Sequence, residues 1–288
     1  SYTSPIARFR DITSGIGFYE VVKDLEENFE ERKELLIENL KKIAGRIFRK
    51  ENLMLSYTSA QEGLAVLEKA VPQFEDSLHT GEKESHGQCI IHCKKRNEGF
   101  RTSSKVQYVA RTGNFIDGGA EYTGALQILK VILSYDYLWM NLRVKGGAYG
   151  CMSGFKRNGE SYLVSYRDPH LKRTLDVYKG IPDYIRNFQA DEREMTKYII
   201  GTISGKDVPR TPQMKGSVSK TAYFCGVTEE MLQKERDQIL NASAEDIHAL
   251  AEIIEAVLAA DQICVVGSES KVAEASDVLM EVKPLINC

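Results

Sequence analysis

The sequence predicts an α+β fold in which helices cover one face of a mostly antiparallel sheet. Apolar residues at helical spacing recur near both ends and in the middle of the chain, and short strand-like runs lie between them. The dipeptide Asn158-Gly159 separates two such runs and is typical of a two-residue antiparallel hairpin turn. These patterns together are typical of helices layered on an antiparallel sheet.

The first part of the chain is predicted to form a helix, a strand and a second helix. Residues 20–49 place Leu40 and Ile43 on one apolar face at helical spacing. Residues 52–59, NLMLSYTS, are typical of a short strand, and helical periodicity returns over 60–74.

The same order of elements closes the protein. Its helix, strand and final helix are predicted at 244–260, 262–270 and 271–282. Setting Asn52 against Gln262 aligns the two units at an offset of 210 residues, which is too long for a solenoid repeat and suits a duplicated domain. We therefore expect residues 1–80 to be the C-terminal tail of one domain and residues 81–288 to be a complete second copy. The polar stretch 75–88 is the expected linker.

The middle of the chain supplies the remaining strands. Residues 87–95 and 104–111 are two candidate strands, which we expect to pair as a hairpin-like sheet. A helix with apolar residues on nearly all sides follows from Thr123, as expected for a helix buried against a sheet. Residues 149–159 and 161–169 are then expected to be antiparallel neighbours.

Composition narrows the classes of function. The net charge of −3, from 38 basic and 41 acidic residues, gives no strong overall field and argues against a dedicated nucleic-acid binder or an anionic-membrane protein. No apolar run approaches the ~18–20 residues that span a bilayer. The six cysteines are sparse and irregularly spaced, which favours reduced thiols and an intracellular compartment. We expect neither nucleic acid nor a membrane as partner.

The histidines form no recognisable metal motif. A zinc peptidase of the common type needs H-E-x-x-H or its inverse H-x-x-E-H on one helix, and neither occurs among the five histidines. His86, Cys89, His92 and Cys93 lie close together in sequence. On a strand, however, the two cysteines would be about 13 Å apart and His92 would point to the opposite face. A half-buried strand is the favoured interpretation.

The stretch LRVKGGAYG, residues 142–150, is the candidate functional segment. Gly146 and Gly147 are expected to end the preceding helix and to let the backbone turn sharply. Arg143 and Tyr149 then flank the turn. A guanidinium and a phenol held together there can bind a carbonyl or a developing oxyanion, because both donate hydrogen bonds. The alternative is a plain helix end, with Arg143 complementing the helix dipole.

This stretch, followed by SYLVSYRDPH and a helix beginning LKRTLDVY, resembles the C-terminal half of the pitrilysin (insulinase) family of zinc metallopeptidases, in particular its presequence-protease branch. The resemblance runs from about Gly87 to the end of the chain. It implies four similar α+β domains that close around an unfolded peptide, with the zinc motif and its glutamate base in the N-terminal half. It therefore implies zinc in the full-length enzyme, but neither zinc nor a general base in this chain, which is expected to be inactive alone.

The resemblance also implies roles for the candidate residues. Tyr149 would hydrogen-bond the scissile carbonyl or its tetrahedral intermediate, and Arg143 would anchor nearby substrate backbone. Gly146 and Gly147 would let the backbone approach the substrate. The implied partners are the N-terminal catalytic half, on the same or a separate polypeptide, and unfolded peptide substrates. The expected location is the cytoplasm, or the mitochondrial matrix if the protein is eukaryotic.

Two other hypotheses stay open at this point. One is a catalytically inactive, peptidase-like structural or interaction protein, for which a missing zinc motif is also expected. The other is an unrelated α+β enzyme whose site is built on Cys89, Cys93 or Cys151. That hypothesis requires an accessible cysteine with a lowered pKa, because the thiolate is the reactive form.

Overall fold

The computed structural model of the chain describes residues 1–80, 90–93 and 95–285. The chain divides into two compact units, which we call the sheet unit and the helical unit. The sheet unit comprises residues 1–16, 91–208 and 230–288, and the helical unit comprises residues 17–90 and 209–229. These units are defined by compactness, whereas the boundary predicted at residue 80 separates duplicated domains. That boundary stays a prediction.

Helices and strands are numbered in chain order. The helices are α1 (Pro5–Ser14), α2 (Ile16–Glu27), α3 (Phe29–Ile47), α4 (Gln61–Asp76), α5 (Ala125–Ile132), α6 (Lys172–Lys179), α7 (Ile181–Arg186), α8 (Glu192–Lys206), α9 (Pro212–Cys225), α10 (Glu229–Leu240), α11 (Ala244–His248), α12 (Leu250–Ala259) and α13 (Glu269–Glu274). Two π-helical segments, π1 (Leu133–Tyr137) and π2 (Trp139–Val144), continue α5. The strands are β1 (Asn97–Thr102), β2 (Gln107–Asn114), β3 (Gly150–Phe155), β4 (Glu160–Asp168), β5 (Gln262–Ser268) and β6 (Glu281–Pro284). Within these ranges, none of the helices combines the length and the apolar character that crossing a bilayer requires.

Within the described residues, one sheet contains all of these strands in the order β3-β4-β2-β5-β1-β6. The pairs β3–β4, β4–β2 and β2–β5 are antiparallel, whereas β1 runs parallel to both β5 and β6. The predicted α+β class with a mostly antiparallel sheet is therefore confirmed. Strand β3 forms one edge of the sheet, directly after the candidate segment.

The hairpin predicted around Asn158-Gly159 is confirmed. Strands β3 and β4 are antiparallel neighbours. Gly159 has φ +82°, and its N–H donates to the Lys156 carbonyl at 2.9 Å. Asn158 lacks the positive φ of a two-residue type I′ turn, so the connection is a three-residue loop with Gly159 in the left-handed position, and the predicted turn type is wrong. Local turn chemistry was enough to identify this pair of strands.

The strand predicted over 52–59 is wrong. Between a 3₁₀ turn at Lys50–Asn52 and α4 the backbone forms no regular element. A strand needs a neighbour to satisfy its N–H and C=O groups, and no described strand pairs with this segment. In the predicted 210-residue alignment, a strand is therefore formed at 262–268 as β5 but not at the matching residues of the first unit, and the duplication itself stays a prediction.

The pairing predicted for the next two strands is also wrong. Residues 90–93 form no strand, and residues 87–89 and 94 lie outside the described residues. Strand β1 begins later, at Asn97, and β5 lies between β1 and β2. The Asn97 side chain accepts a hydrogen bond from the Ile263 N–H at 3.0 Å and donates to Asp261 at 3.1 Å, which fixes the start of β1 against β5. Both contacts join residues far apart in sequence, so no local sequence pattern predicts where β1 begins.

The last predicted helix, over 271–282, is shorter than expected. Helix α13 ends at Glu274, and β6 follows from Glu281. Strand β6 pairs with the open edge of β1, so its backbone groups are satisfied by the sheet instead of by a helix. The predicted strand over 262–270 is confirmed as β5.

The core of the sheet unit lies between one face of the sheet and the helices on it. Leu129 and Ile132 of α5 and Ile254 and Val257 of α12 are almost completely buried. The strand residues in the same apolar cluster are Val109, Leu163, Ile263 and Val265. Strand residues of the opposite parity, such as Tyr166, are only partly buried. This open face of the sheet lies beside the candidate segment.

The helical unit has no buried core among its described residues. None of the residues of α2, α3, α4 and α9 is buried. The large apolar side chains exposed there include Val21, Leu40, Ile43, Ile47 and Val66. The single amphipathic helix predicted over 20–49 is instead two helices, α2 and α3, separated at Asn28, and large apolar side chains of both are exposed.

Candidate functional site

The helix that leads into the site widens before it ends. In π2 the Lys145 N–H donates to the Met140 carbonyl at 3.0 Å, which is the i→i−5 pattern of a π-helix. The Asn141 side chain donates to the Tyr137 carbonyl at 2.8 Å and so takes the acceptor that an α-helical N–H would use. The sequence predicted a continuous helix here but not its change to π geometry. Such π segments frequently occur at functional sites.

Two glycines end this helix for different physical reasons. Gly147 has φ +79°, and its N–H donates to the Arg143 carbonyl while the next N–H, that of Ala148, donates to Leu142, both at 2.9 Å. A left-handed glycine of this kind closes many helices. A Cβ at Gly146 would lie 2.4 Å from the Leu142 carbonyl oxygen, so only glycine fits there. The prediction that these glycines end the helix is confirmed, whereas their approach to a substrate stays a prediction.

The turn brings Arg143 and Tyr149 together. The Arg143 Nη1 donates to the Tyr149 carbonyl oxygen, and the Arg143 Cζ lies 5.6 Å from the centroid of the Tyr149 ring. The same guanidinium carbon lies 4.4 Å over the Trp139 ring, which limits its rotamers. Trp139 was missed by the sequence analysis, although its position one helical turn before Arg143 is a usable signal.

The Tyr149 phenol faces solvent. Tyr149 is 57% exposed, and its hydroxyl makes no hydrogen bond within the described part of the chain. A hydroxyl in this state is available as a donor to a ligand. The Tyr149 N–H is held at the same time by the Arg167 carbonyl of β4 at 3.3 Å, so the backbone is anchored while the phenol stays open.

A β-bulge places a second arginine beside Tyr149. Gln107 pairs with Asp168 and Val109 pairs with Ser165, so one residue of β2 lies opposite two residues of β4, Tyr166 and Arg167. Arg167 has φ +49°, and its Cζ lies 5.3 Å from the Tyr149 ring centroid. The Tyr166 ring lies 5.6 Å from the same ring. Neither Tyr166 nor Arg167 was expected from the sequence to belong to the site.

Positive charge dominates the rim of the site. The cations there are Arg143, Lys145, Arg167 and Arg173, and none of them forms an ion pair with a carboxylate of the described residues. The adjacent acid, Asp168, is 1% exposed and accepts hydrogen bonds from the His170 N–H at 2.8 Å and the Thr174 hydroxyl at 2.7 Å. Its carboxylate is therefore already used inside the fold.

The cysteine hypothesis receives no support from Cys151. Burial raises the pKa of the Cys151 thiol to about 11, and the nearby Arg143 charge only partly opposes this. A thiol with a raised pKa is a poor nucleophile at neutral pH. Cys93 is exposed, and Cys89 lies outside the described residues.

The described residues do not fit a zinc site. Across residues 1–80, 90–93 and 95–285, no three His, Cys, Asp or Glu side chains are grouped so as to hold a metal ion. His86 and Cys89 lie outside these ranges. No step that uses zinc is therefore assigned to the described part of this chain.

Comparison with known proteins identifies relatives over much of the chain. Protein HypA of Clostridium perfringens is 41% identical over 99% of the chain, and presequence protease 1 of Arabidopsis thaliana is 32% identical over 84%. The chain spans only 29% and 23% of the length of these two relatives. A solved structure described as a peptidase M16 inactive domain, from Pseudomonas fluorescens, has a TM-score of 0.49 at 14% identity, covering 77% of this chain and 51% of that one.

A family model described as the PreP C-terminal domain matches residues 97–270. The match includes strands β1 to β5 and the whole site around Arg143, Tyr149 and Arg167. The resemblance to the presequence-protease branch is therefore confirmed, and the chain belongs to the PreP C-terminal domain family.

Proposed function

We propose that this chain is the non-catalytic, substrate-binding C-terminal portion of a zinc-dependent oligopeptidase of the presequence-protease type, which degrades unstructured peptides. The observation that carries the proposal is the exposed Tyr149 side chain beside the Arg143 guanidinium at a hydrogen-bonded turn. Family membership supports it, because the relatives include presequence proteases.

In this proposal, Tyr149 donates a hydrogen bond to the scissile carbonyl oxygen and to the oxyanion that develops there. Its hydroxyl is free within the described residues, while two guanidinium groups lie within 5.6 Å of its ring centroid and its backbone N–H donates to the Arg167 carbonyl of β4. A donor held in place before the reaction stabilises charge without reorganisation. Removal of such a donor commonly lowers turnover by about 10²–10³.

Arg143 is proposed to anchor the substrate backbone. One of its N–H groups is used on the Tyr149 carbonyl, and an arginine has five, so donors remain for peptide carbonyls. Packing on Trp139 orders the side chain before binding, which lowers the entropy lost when substrate arrives. Gly146 and Gly147 hold the turn that sets the spacing of Arg143 and Tyr149.

The zinc motif and the general base are proposed to lie in an N-terminal half, on the same or a separate polypeptide. The chain covers under a third of each of the two relatives named above, which supports the existence of such a half. This chain alone is then expected to be inactive. A bacterial cytoplasm, or the mitochondrial matrix in a eukaryote, is the proposed location.

Reconstitution tests the proposal. A quenched fluorescent, unstructured peptide is incubated with zinc and with this chain, before and after addition of the separately expressed upstream half. Cleavage that appears only on mixing is the expected result. Cleavage by this chain alone would overturn the site assignment. No cleavage despite complex formation and bound zinc would favour the inactive, peptidase-like structural protein.

Variants then test the residues. Tyr149→Phe and Arg143→Ala are each expected to lower turnover of the mixture by about 10²–10³ while complex formation is kept. Tyr135→Phe is the matched control, because Tyr135 is also an exposed tyrosine but lies on the helix before the site, outside the turn. Unchanged turnover in the first two variants would contradict the proposed roles.

A further inference from the structure

We propose that Arg167 is a second substrate-binding residue and that it pairs with a carboxylate of the bound peptide. The carboxylate belongs either to the C-terminus of the peptide or to an acidic side chain. This inference rests on the proposed function, because it concerns the same site. Four features of the structure support it: a β-bulge, a backbone conformation, a charge imbalance and a shared aromatic ring.

The bulge exposes Arg167. Along β4 the buried residues alternate as Ser161, Leu163 and Ser165, so the next buried position would be residue 167. The extra residue shifts this alternation, so that Arg167 is exposed and Asp168 is buried. Bulges commonly redirect side chains next to active sites. Here the redirection moves a cation out of the apolar face and places it beside Tyr149.

The backbone conformation of Arg167 is one that favours glycine. With φ +49°, a residue with a side chain is strained, and glycine or asparagine would adopt this conformation more easily. Strained conformations of this kind cluster at active sites and ligand-binding sites. The conformation is therefore consistent with a functional role for this residue.

Two cations share one ring without an anion between them. Arg143 and Arg167 have their Cζ atoms 5.6 Å and 5.3 Å from the centroid of Tyr149. Both remain without a carboxylate partner within the described residues, and the Asp168 carboxylate is bound internally to His170 and Thr174. Two positive charges beside one ring repel each other, and a carboxylate from a ligand would offset that repulsion. The planar guanidinium of Arg167 suits two-point binding to such a carboxylate.

The location fits an extended peptide. Tyr149 directly precedes β3, which forms an edge of the sheet, and Arg167 lies on the neighbouring β4. A peptide whose carbonyl reaches the Tyr149 hydroxyl therefore passes beside Arg167. An anionic group a short distance along that peptide would meet the guanidinium.

Three versions of one unstructured peptide separate the two sources of the carboxylate. The first has a free C-terminus and no acidic residue, the second is the same peptide with an amidated C-terminus, and the third is amidated and carries one glutamate. KM and kcat are measured for each on the reconstituted two-half enzyme. A lower KM for the first peptide than for the second indicates the C-terminus, and a lower KM for the third indicates an acidic side chain.

Arg167→Asn is the informative variant, because asparagine tolerates the left-handed conformation. We expect it to raise KM for the preferred carboxylate-bearing peptide about 5–10-fold more than KM for the neutral peptide, with kcat affected much less than KM. Arg193→Gln removes an exposed cation of helix α8 and is the control. Arg167→Gly serves as a second variant that keeps the backbone conformation.

The outcomes distinguish this inference from the proposed function. If the unmodified enzyme cleaves none of the peptides, the proposed function fails. If it cleaves all three with the same KM, or if Arg167→Asn and Arg167→Gly retain the carboxylate preference, only the role of Arg167 is refuted. A fall in thermal stability in both variants, with the preference intact, would assign Arg167 a structural role instead.

Discussion

Replacing Gly147 by alanine tests whether the turn between Arg143 and Tyr149 depends on glycine conformation. Gly147 has φ +79°, and this left-handed conformation costs a residue with a Cβ about 1–2 kcal/mol. The lower entropy of the unfolded alanine chain offsets about 0.5 kcal/mol of this. An added Cβ would lie 3.7 Å from Pro169, an ordinary contact, so no steric cost is added. We expect the free energy of unfolding to fall by about 1 kcal/mol.

Gly146→Ala should behave differently at the neighbouring position. Its Cβ would lie 2.4 Å from the Leu142 carbonyl oxygen and 2.9 Å from that of Asn141, and both atoms belong to the helix backbone. The helix end must move to relieve this overlap, at a cost of about 1–3 kcal/mol. Because Arg143 lies in the same turn, we also expect cleavage by the reconstituted enzyme to fall.

Gly205→Ala is the matched control for both variants. Gly205 lies in α8 with open space around it and without a positive φ, so alanine is expected to stabilise the helix by about 0.5–1 kcal/mol. Urea unfolding followed by circular dichroism gives the midpoint and the slope for each variant. A Gly147→Ala variant as stable as the parent, or stabilised like Gly205→Ala, would refute the argument.

Three further predictions concern single side chains of the sheet unit. Because burial raises the pKa of Cys151 to about 11, we expect alkylation of the native chain at pH 8 to be far slower at Cys151 than at the exposed Cys93, as measured by mass spectrometry; equal rates would contradict this. Burial alone would raise the pKa of Glu98, but hydrogen bonds from Lys283 and Tyr2 lower this pKa below its ordinary value of 4.5. Ionised Glu98 therefore stabilises the fold above that pH, and this stabilisation is lost as the pH falls. The free energy of unfolding of Glu98→Gln should then depend less steeply on pH in acid, and an unchanged slope would contradict the stabilising role of Glu98. Glu235 is 4% exposed and pairs with two cations, so Glu235→Gln should lower the free energy of unfolding by about 2 kcal/mol in urea unfolding, and a change under 0.5 kcal/mol would argue against the pair.

Local patterns were sufficient where neighbouring residues decide the structure. The Asn158-Gly159 hairpin, the helix that leads to Arg143 and its glycine termination all depend on contacts a few residues apart. The family likeness was also visible from sequence, because it rests on a short contiguous motif that includes Tyr149. The pairing of Arg143 with Tyr149 followed from the same motif, since six residues and a tight turn separate them.

Other features depended on partners distant in sequence. Strand β1 was misplaced because its first residue, Asn97, is held by Ile263 of β5, far along the chain. The strand expected over 52–59 is absent because no described strand pairs with it. Arg167 was missed because strict alternation along β4 would bury it, and only the unequal register with β2 exposes it.

The sequence by itself therefore determined the fold class, through its hydrophobic periodicity, and the family, through a contiguous motif. It also determined the turn that joins Arg143 to Tyr149, because the hydrogen bonds that close this turn lie within a few residues. Only the tertiary structure decided the strand order, the π-helical end of the helix and the position of Arg167 beside Tyr149. The physical reason is that strand neighbours and bulges are set by long-range backbone pairing, which leaves no periodic trace in the chain.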